Sequence, residues 1–331
     1  MGANPNYDDV LTTTIESRAR NLRDNVTKNI ALLMRMNERG NIRPVSGGSK
    51  IIEEMDFDEN STYKRYSGSE ALGTGVSQVL TASEYSWKQT AVTIEITGLE
   101  GSVQNTGPEA FINLLTGRVT NAERTMRNGL GADLYSDGTA DSGKQIDGLQ
   151  QQVADNPATG TVGGINRATV TKWRNYSKTE GPGGSSNPAI TVDNIQDLMN
   201  EVYLNISRNT DHPDLIFSDN NLYKTYWSSL QTQQRFTNPR LAERGFENLR
   251  FVNADVIFDG GLGGSCPADH MYFLNTDYLY YRPHRSRNIV PLRDRHIETA
   301  DVMRRFLVWA GNLTMANAQL QGVLIDGKLA A

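Results

Sequence analysis

Between Ser61 and Trp87 the chain runs for about thirty residues rich in Ser, Gly, Tyr and Thr, too long for a hairpin turn and too polar for a core. Both flanks alternate strictly. Upstream, Ile51, Glu53, Met55 and Phe57 alternate with Ile52, Glu54, Asp56 and Asp58; downstream, Val92, Ile94 and Ile96 alternate with Thr93, Glu95 and Thr97. Such a period of two marks strands with one buried face. The expectation is two strands paired with each other at the base of a long projecting β-arm over residues 44–98. A chain that spends so many residues outside its own core must gain stability elsewhere.

The remaining elements are read from period and caps. Leu11, Leu22 and Leu33, with Ile15 and Val26 between them, form a narrow apolar stripe over residues 7 to about 38. This predicts one amphipathic helix stopped by Gly40 and Pro44, whose thin stripe must dock on the rest of the fold or on a neighbour. A second helix is expected over about 108–127. Pro108 suits its first position, Phe111, Leu114, Leu115, Val119, Ala122 and Met126 share one face, and Asn128-Gly129 ends it. Residues 129–190, dominated by Gly, Asp, Ser, Thr and Pro, read as loop-rich surface. A helix capped by Thr191 follows, then a buried strand over 213–217, a helix capped by Ser218, and strands over 249–258 and 271–281. The tail reads as strands over 306–309, 313–315 and 320–325.

Composition excludes several classes of function. The net charge of −5 has the wrong sign for a protein that grips nucleic acid over its whole surface. A lone Cys266 cannot form an internal disulfide, and the polar start MGANPNYDD lacks the basic and apolar regions of a signal peptide. The reading is a cytosolic, unexported protein. Its apolar runs fall far short of the roughly 20 residues of a membrane span. His212, His270, His284 and His296 are widely spaced, with no HExxH or CxxC beside them, so neither a metal nor a cofactor is expected. The Gly-rich turns (Gly73 to Gly75, Gly129 to Gly131, Gly260 to Gly264) do not continue as phosphate-binding fingerprints, and there is no GxSxG elbow. No catalytic residue is assigned.

What the chain does show is segregated charge. Glu53, Glu54, Asp56, Asp58 and Glu59 crowd carboxylates into the arm, while Arg282, Arg285, Arg287, Arg293 and Arg295 crowd guanidiniums near the end of the α/β region. Opposite patches at low net charge suggest head-to-tail association, the arm of one copy lying on the basic strip of another. Arg suits such contacts through its bidentate geometry.

This order of elements resembles the major capsid proteins of tailed bacteriophages, of the Hong Kong 97 type. The resemblance covers nearly the whole chain, with local phrases RTMRNGLGADLYSDGTADSGKQIDGLQ, LIFSDNNLYKTYWSSLQ and VWAGNLTMANAQLQGVL. It implies an α+β fold with an N-terminal arm over 1–43, an E-loop over 44–98, and the spine helix with the first part of the peripheral domain over 99–132. An axial α/β domain over 133–285 and peripheral return strands over 286–331 would complete it. The implied function is a shell protein, not an enzyme, building pentamers and hexamers of an icosahedral capsid around double-stranded DNA held without sequence-specific contacts. Implied partners are further copies of itself and a portal protein. A separate scaffolding protein is expected, because the arm helix begins close to Met1. Covalent Lys–Asn crosslinks are not expected, and a decoration protein would be a substitute for them. The location would be the virion capsid, assembled in the host bacterial cytoplasm with no membrane. Three rivals stand beside it: an encapsulin-like compartment of the same fold, a bacterial hydrolase with a dispersed carboxylate site in 129–190, and an adhesin using Tyr63, Tyr66, Tyr85 and Trp87 as sugar platforms.

Overall fold

The computed structural model describes residues 31–72, 75, 79–100, 114–181, 189–230, 249–260, 264–292, 295–297 and 300–327. The expected N-terminal helix lies mostly outside them. Its described end is α1 (Ala31–Glu38), which buries Ala31, Leu32 and Met36 and stops at Gly40 with a φ of +72°. This described end of the helix docks on the body, with Leu33 partly buried against the core. Arg35 pairs with Asp255, Arg39 with Asp214 at 2.9 Å, and Asn41 donates to the Thr276 carbonyl.

Two strands alternate as expected but do not pair as expected. β1 (Ile51–Asp56) pairs antiparallel with β2 (Leu80–Tyr85), a strand absent from the sequence reading. β3 (Lys88–Thr97) lies instead along the long strand Ala300–Met315. The arm is thus the β1–β2 ribbon with the residues between its strands, and 88–97 belongs to the body. Local alternation shows that a strand has one buried face; it carries no information about which strand lies beside it.

Helix α2 (Leu114–Asp133) is the long helix, packed on β3. It runs through Asn128-Gly129, the expected stop, because Met126, Leu130 and Leu134 continue its buried face beyond that pair. The predicted start at Pro108 lies outside the described residues. The chain then makes two single turns (140–143 and 149–152), a hairpin of β4 (Thr161–Val162) and β5 (Ile165–Asn166), and a 3-10 turn at Thr171–Trp173.

Two sheets organise the rest. The first takes the order β6-β15-β10-β7-β9-β8, from β6 (Tyr176–Glu180), β7 (Leu215–Ser218), β8 (Leu249–Phe251), β9 (Ala254–Phe258), β10 (His270–Leu274) and the final strand β15 (Gly322–Asp326). Helices α3 (Ile195–Asn205) and α4 (Asn220–Ser229) cover one face, where Ile216, Val256, Met271, Phe273 and Leu324 meet Ile195, Met199, Val202, Leu222 and Tyr226. Leu215, Phe217, Ile257, Tyr272 and Val323 point to the other face, against α1 and the segment that carries Ile146, Leu149, Val153 and Trp173. Every residue of β7 is buried, as a strand covered on both faces requires. Asp219, not Ser218, caps α4 by accepting from the Leu222 N–H at 3.0 Å.

The second sheet is built around the 16-residue strand β14 (Ala300–Met315), so the two short tail strands expected over 306–315 are one. β3 lines one edge of it, while β11 (Leu279–Pro283), β12 (Val290–Pro291) and β13 (Arg295–Ile297) share the other in succession. β11, from the stretch 133–285, thus lies in this sheet, and β15, from the stretch 286–331, lies in the first. Strand partnership, not chain order, decides both.

Candidate assembly surface

The arm base shows how the candidate carboxylates and arginines are used. Because β1 alternates, Ile51 and Glu53 face inward with Ser83 and Tyr85 of β2, while Ile52, Glu54 and Asp56 face outward with Leu80 and Glu84. The buried Glu53 carboxylate accepts from Arg282 Nε and Nη2, each at 2.5 Å, and from Thr314 Oγ1 at 2.7 Å. The Arg282 guanidinium also lies over the Tyr280 ring, 5.1 Å from its centroid. Glu53 and Arg282 were expected to face other copies; they meet inside one chain, as a bidentate anchor between arm and β11.

The rest of the base is equally tied down. Tyr85 is buried, its hydroxyl accepting from the Met315 N–H and lying 3.2 Å from Gln152 Oε1. Burial pushes this phenol far up, although the Met315 backbone and Ser83 pull the other way. The β4–β5 turn closes against it: the Glu84 N–H donates to the Gly163 carbonyl at 2.9 Å. Gly163 has a φ of +57°, and a Cβ there would sit 2.8 Å from Ser83 Cβ, so conformation and space both demand glycine. Tyr85 and Gly163 carry no local signal of this pairing, which joins residues far apart in the chain.

Six of the other candidates lie on the surface. Glu54, Asp56 and Glu59 are exposed, as are Arg285 and Arg287. Asp58 pairs with Lys172 of the 3-10 turn, and this hydrogen bond holds its carboxyl below the usual range. Arg295 stands in register with Arg304 on β14, and Arg293 lies outside the described residues. Large apolar side chains accompany both charge groups. On the arm, Tyr63 is 81%, Leu80 77%, Tyr66 63%, Leu72 57% and Ile52 56% exposed; beside the arginines, Val290 and Leu292 are also exposed.

Chemistry elsewhere is sparse. Among the described residues no group of three or more His, Cys, Asp or Glu side chains could hold a metal ion, and no helix is long and apolar enough to cross a membrane. The Cys266 thiol is pushed up by burial and by the nearby charges of Asp259 and Asp219, the reverse of an activated nucleophile. His284 stacks edge-on against Trp87, 5.5 Å between centroids, and holds Ser286 through Nδ1. Arg167 stands in no local sequence pattern. It is buried, donating to the carbonyls of Trp173 (3.1 Å), Gln151 (3.2 Å) and Gln152, and burial pulls its guanidinium down to about 10. Segment 134–175, expected as surface loop, is organised around it.

No protein-family model matches the sequence, and no curated protein matches it. Solved structures do. A chain of the cyanophage A-1(L) capsid asymmetric unit superposes with a TM-score of 0.69 at 18% identity, covering 92% of this chain and 95% of that one. The SrpI encapsulin of Synechococcus elongatus superposes with a TM-score of 0.57 at 10% identity, covering 96% of each chain. A protein of Mycobacterium phage Bobi gives 0.54 at 11% identity over 90% of this chain and 91% of that one. Likeness over nearly the full length of each chain establishes the fold: it is α+β, of the Hong Kong 97 type.

Proposed function

We propose that this chain is the major capsid protein of a tailed bacteriophage, a structural subunit that builds pentamers and hexamers of an icosahedral shell around double-stranded DNA. The observation that carries the reading is the arm. Its base is locked to the body by Glu53–Arg282 and Tyr85, yet beyond the base it presents Tyr63, Tyr66, Leu72 and Leu80 to solvent. A ribbon held rigidly at one end and apolar at the other is built to be covered by another copy. The likeness to the cyanophage capsid chain supports the same reading.

At the contact, the outward arm face of one copy (Ile52, Glu54, Asp56, Leu80, then Asp58 and Glu59) meets the strip Arg285, Arg287, Val290 and Leu292 of the next, with Arg293 and Arg295 on the same stretch of chain. Each side combines one sign of charge with exposed apolar groups, so the pairing gains both burial and steering. Glu53 and Arg282 act within the chain as the anchor that aims the arm. Further partners in this reading are a portal, a separate scaffolding protein and a decoration protein. The shell belongs to the virion and assembles in the host bacterial cytoplasm, and the net charge of −5 suits a wall that encloses DNA without clamping it.

The encapsulin likeness makes a compartment for protein cargo the second reading. Sedimentation velocity and negative-stain imaging of the purified chain, alone and with a co-expressed scaffolding candidate, test the proposal. Closed shells or capsomer-sized rings are expected, and a monodisperse monomer under both conditions overturns it. Nucleic acid rather than enzyme cargo inside particles from infected cells separates the two shell readings.

A further inference from the structure

His270 opens β10, and its ring nitrogens each face an oxygen. Nδ1 lies 2.6 Å from the Ala268 carbonyl and Nε2 lies 3.2 Å from Asp155 Oδ2. Neither a carbonyl nor a carboxylate can donate, so both contacts are hydrogen bonds only when both nitrogens carry protons. The ring stacks on Tyr272, 5.9 Å between centroids, and is largely shielded from solvent.

Asp155 is held from the opposite side. Its carbonyl accepts from Ser177 Oγ of β6 at 2.6 Å, and the preceding Ala154 exchanges two hydrogen bonds with Asn175. β6 and β10 are the two neighbours of β15, so Asp155 reaches across β15. In register, Ser177 stands beside Val323 and His270 beside Ile325.

We propose that Asp155 and His270 form a proton-dependent clasp over the C-terminal strand: closed when His270 is protonated, it keeps β15 seated between β6 and β10, and it loosens when the proton leaves. The groups facing the ring agree with this. Asp155 approaches from the segment before β4 and Asp219 from the start of α4. The Cys266 thiol bonds the His270 carbonyl, and Ile325 of β15 brings no charge. Burial alone would lower the affinity of the imidazole for its proton; the Asp155 hydrogen bond, the Ala268 carbonyl and the charges of Asp155 and Asp219 outweigh it, and the folded value stands above 6.5. A raised folded value stabilises the protein fully below the unfolded value and is lost as pH rises through the folded one. The clasp therefore opens toward alkaline pH. It does not depend on the chain building a shell.

Hydrogen exchange read by mass spectrometry on the full-length protein tests this. Wild type, His270→Gln and Asp155→Asn are compared at roughly pH 5.5 and 8.5, either side of the ordinary histidine range, after correction for intrinsic exchange. In wild type, peptides covering β15 are expected to lose protection several-fold at the higher pH. Both variants should show the lower protection at both values, and because His212, His284 and His296 are unchanged in them, the lost pH dependence is assigned to His270. Equal pH dependence in wild type and Asp155→Asn overturns the clasp, as does its absence in wild type. Should His270→Gln fail to fold, the partly exposed Asp155 position still decides.

Discussion

The arm beyond β1 and the segment between α2 and β6 are built from the same polar, Gly-rich vocabulary, yet they occupy opposite environments. From Asp58 to Leu72 every residue but Thr62 is exposed. Between Leu134 and Asn175, by contrast, Ile146, Leu149, Val153, Val162, Arg167 and Trp173 are buried, and the segment closes the second face of the six-stranded sheet. A handful of apolar anchors at irregular spacing makes the difference, because a sheet with two apolar faces needs a cover for each. Irregular backbone can supply that cover if its carbonyls find donors, and here Arg167 is the donor for three of them. Among its described residues the arm has no such anchors past its base. Stability of the subunit should therefore be concentrated in one polar segment and assembly in the other.

The largest test of that division is Trp173→Ala. It removes a buried ring and its indole bond to the Val162 carbonyl at 2.9 Å, and should cost about 3–5 kcal/mol in denaturant unfolding. Unchanged stability would show the segment to be a passive cover. Next comes Glu53→Gln, which leaves Arg282 without its carboxylate; a loss of about 3 kcal/mol is expected, the cost of breaking one side of a buried pair. Subunit stability equal to wild type would mean that the arm base is not anchored by this pair.

Replacing residues 60–72 by a short Gly-Ser linker should move unfolding by less than about 1 kcal/mol, since nothing there is packed, while abolishing shells in negative stain. Shells of normal yield would remove the arm from assembly. The smallest effect on folding, within about 0.5 kcal/mol, is expected for the double charge reversal Glu54→Lys with Asp56→Lys. Its particle yield should nevertheless fall, and a matching reversal at Arg285 and Arg287 should restore it. Failure of that rescue would separate the two charge groups.

Much of the architecture could be read residue by residue. The alternation at Ile51 and at Val92, the buried run Leu215 to Phe217 and the stripe through Ala122 and Met126 are local signals, each set by a face that must be buried. The candidate charges were legible too, but not their use. Glu53 is the same residue type as the exposed Glu54 beside it; only the pleat, and the distant Arg282 that it brings within 2.5 Å, tells them apart. Period and capping depend on residues within a few positions of each other, and such constraints are carried by the chain itself. Partnership is different. β2 rather than β3 beside β1, β15 in the first sheet, Arg167 among carbonyls and Asp155 against His270 all join residues far apart in sequence. Those contacts are decided by which faces and edges remain to be covered once the chain has folded, and only the tertiary structure holds that information.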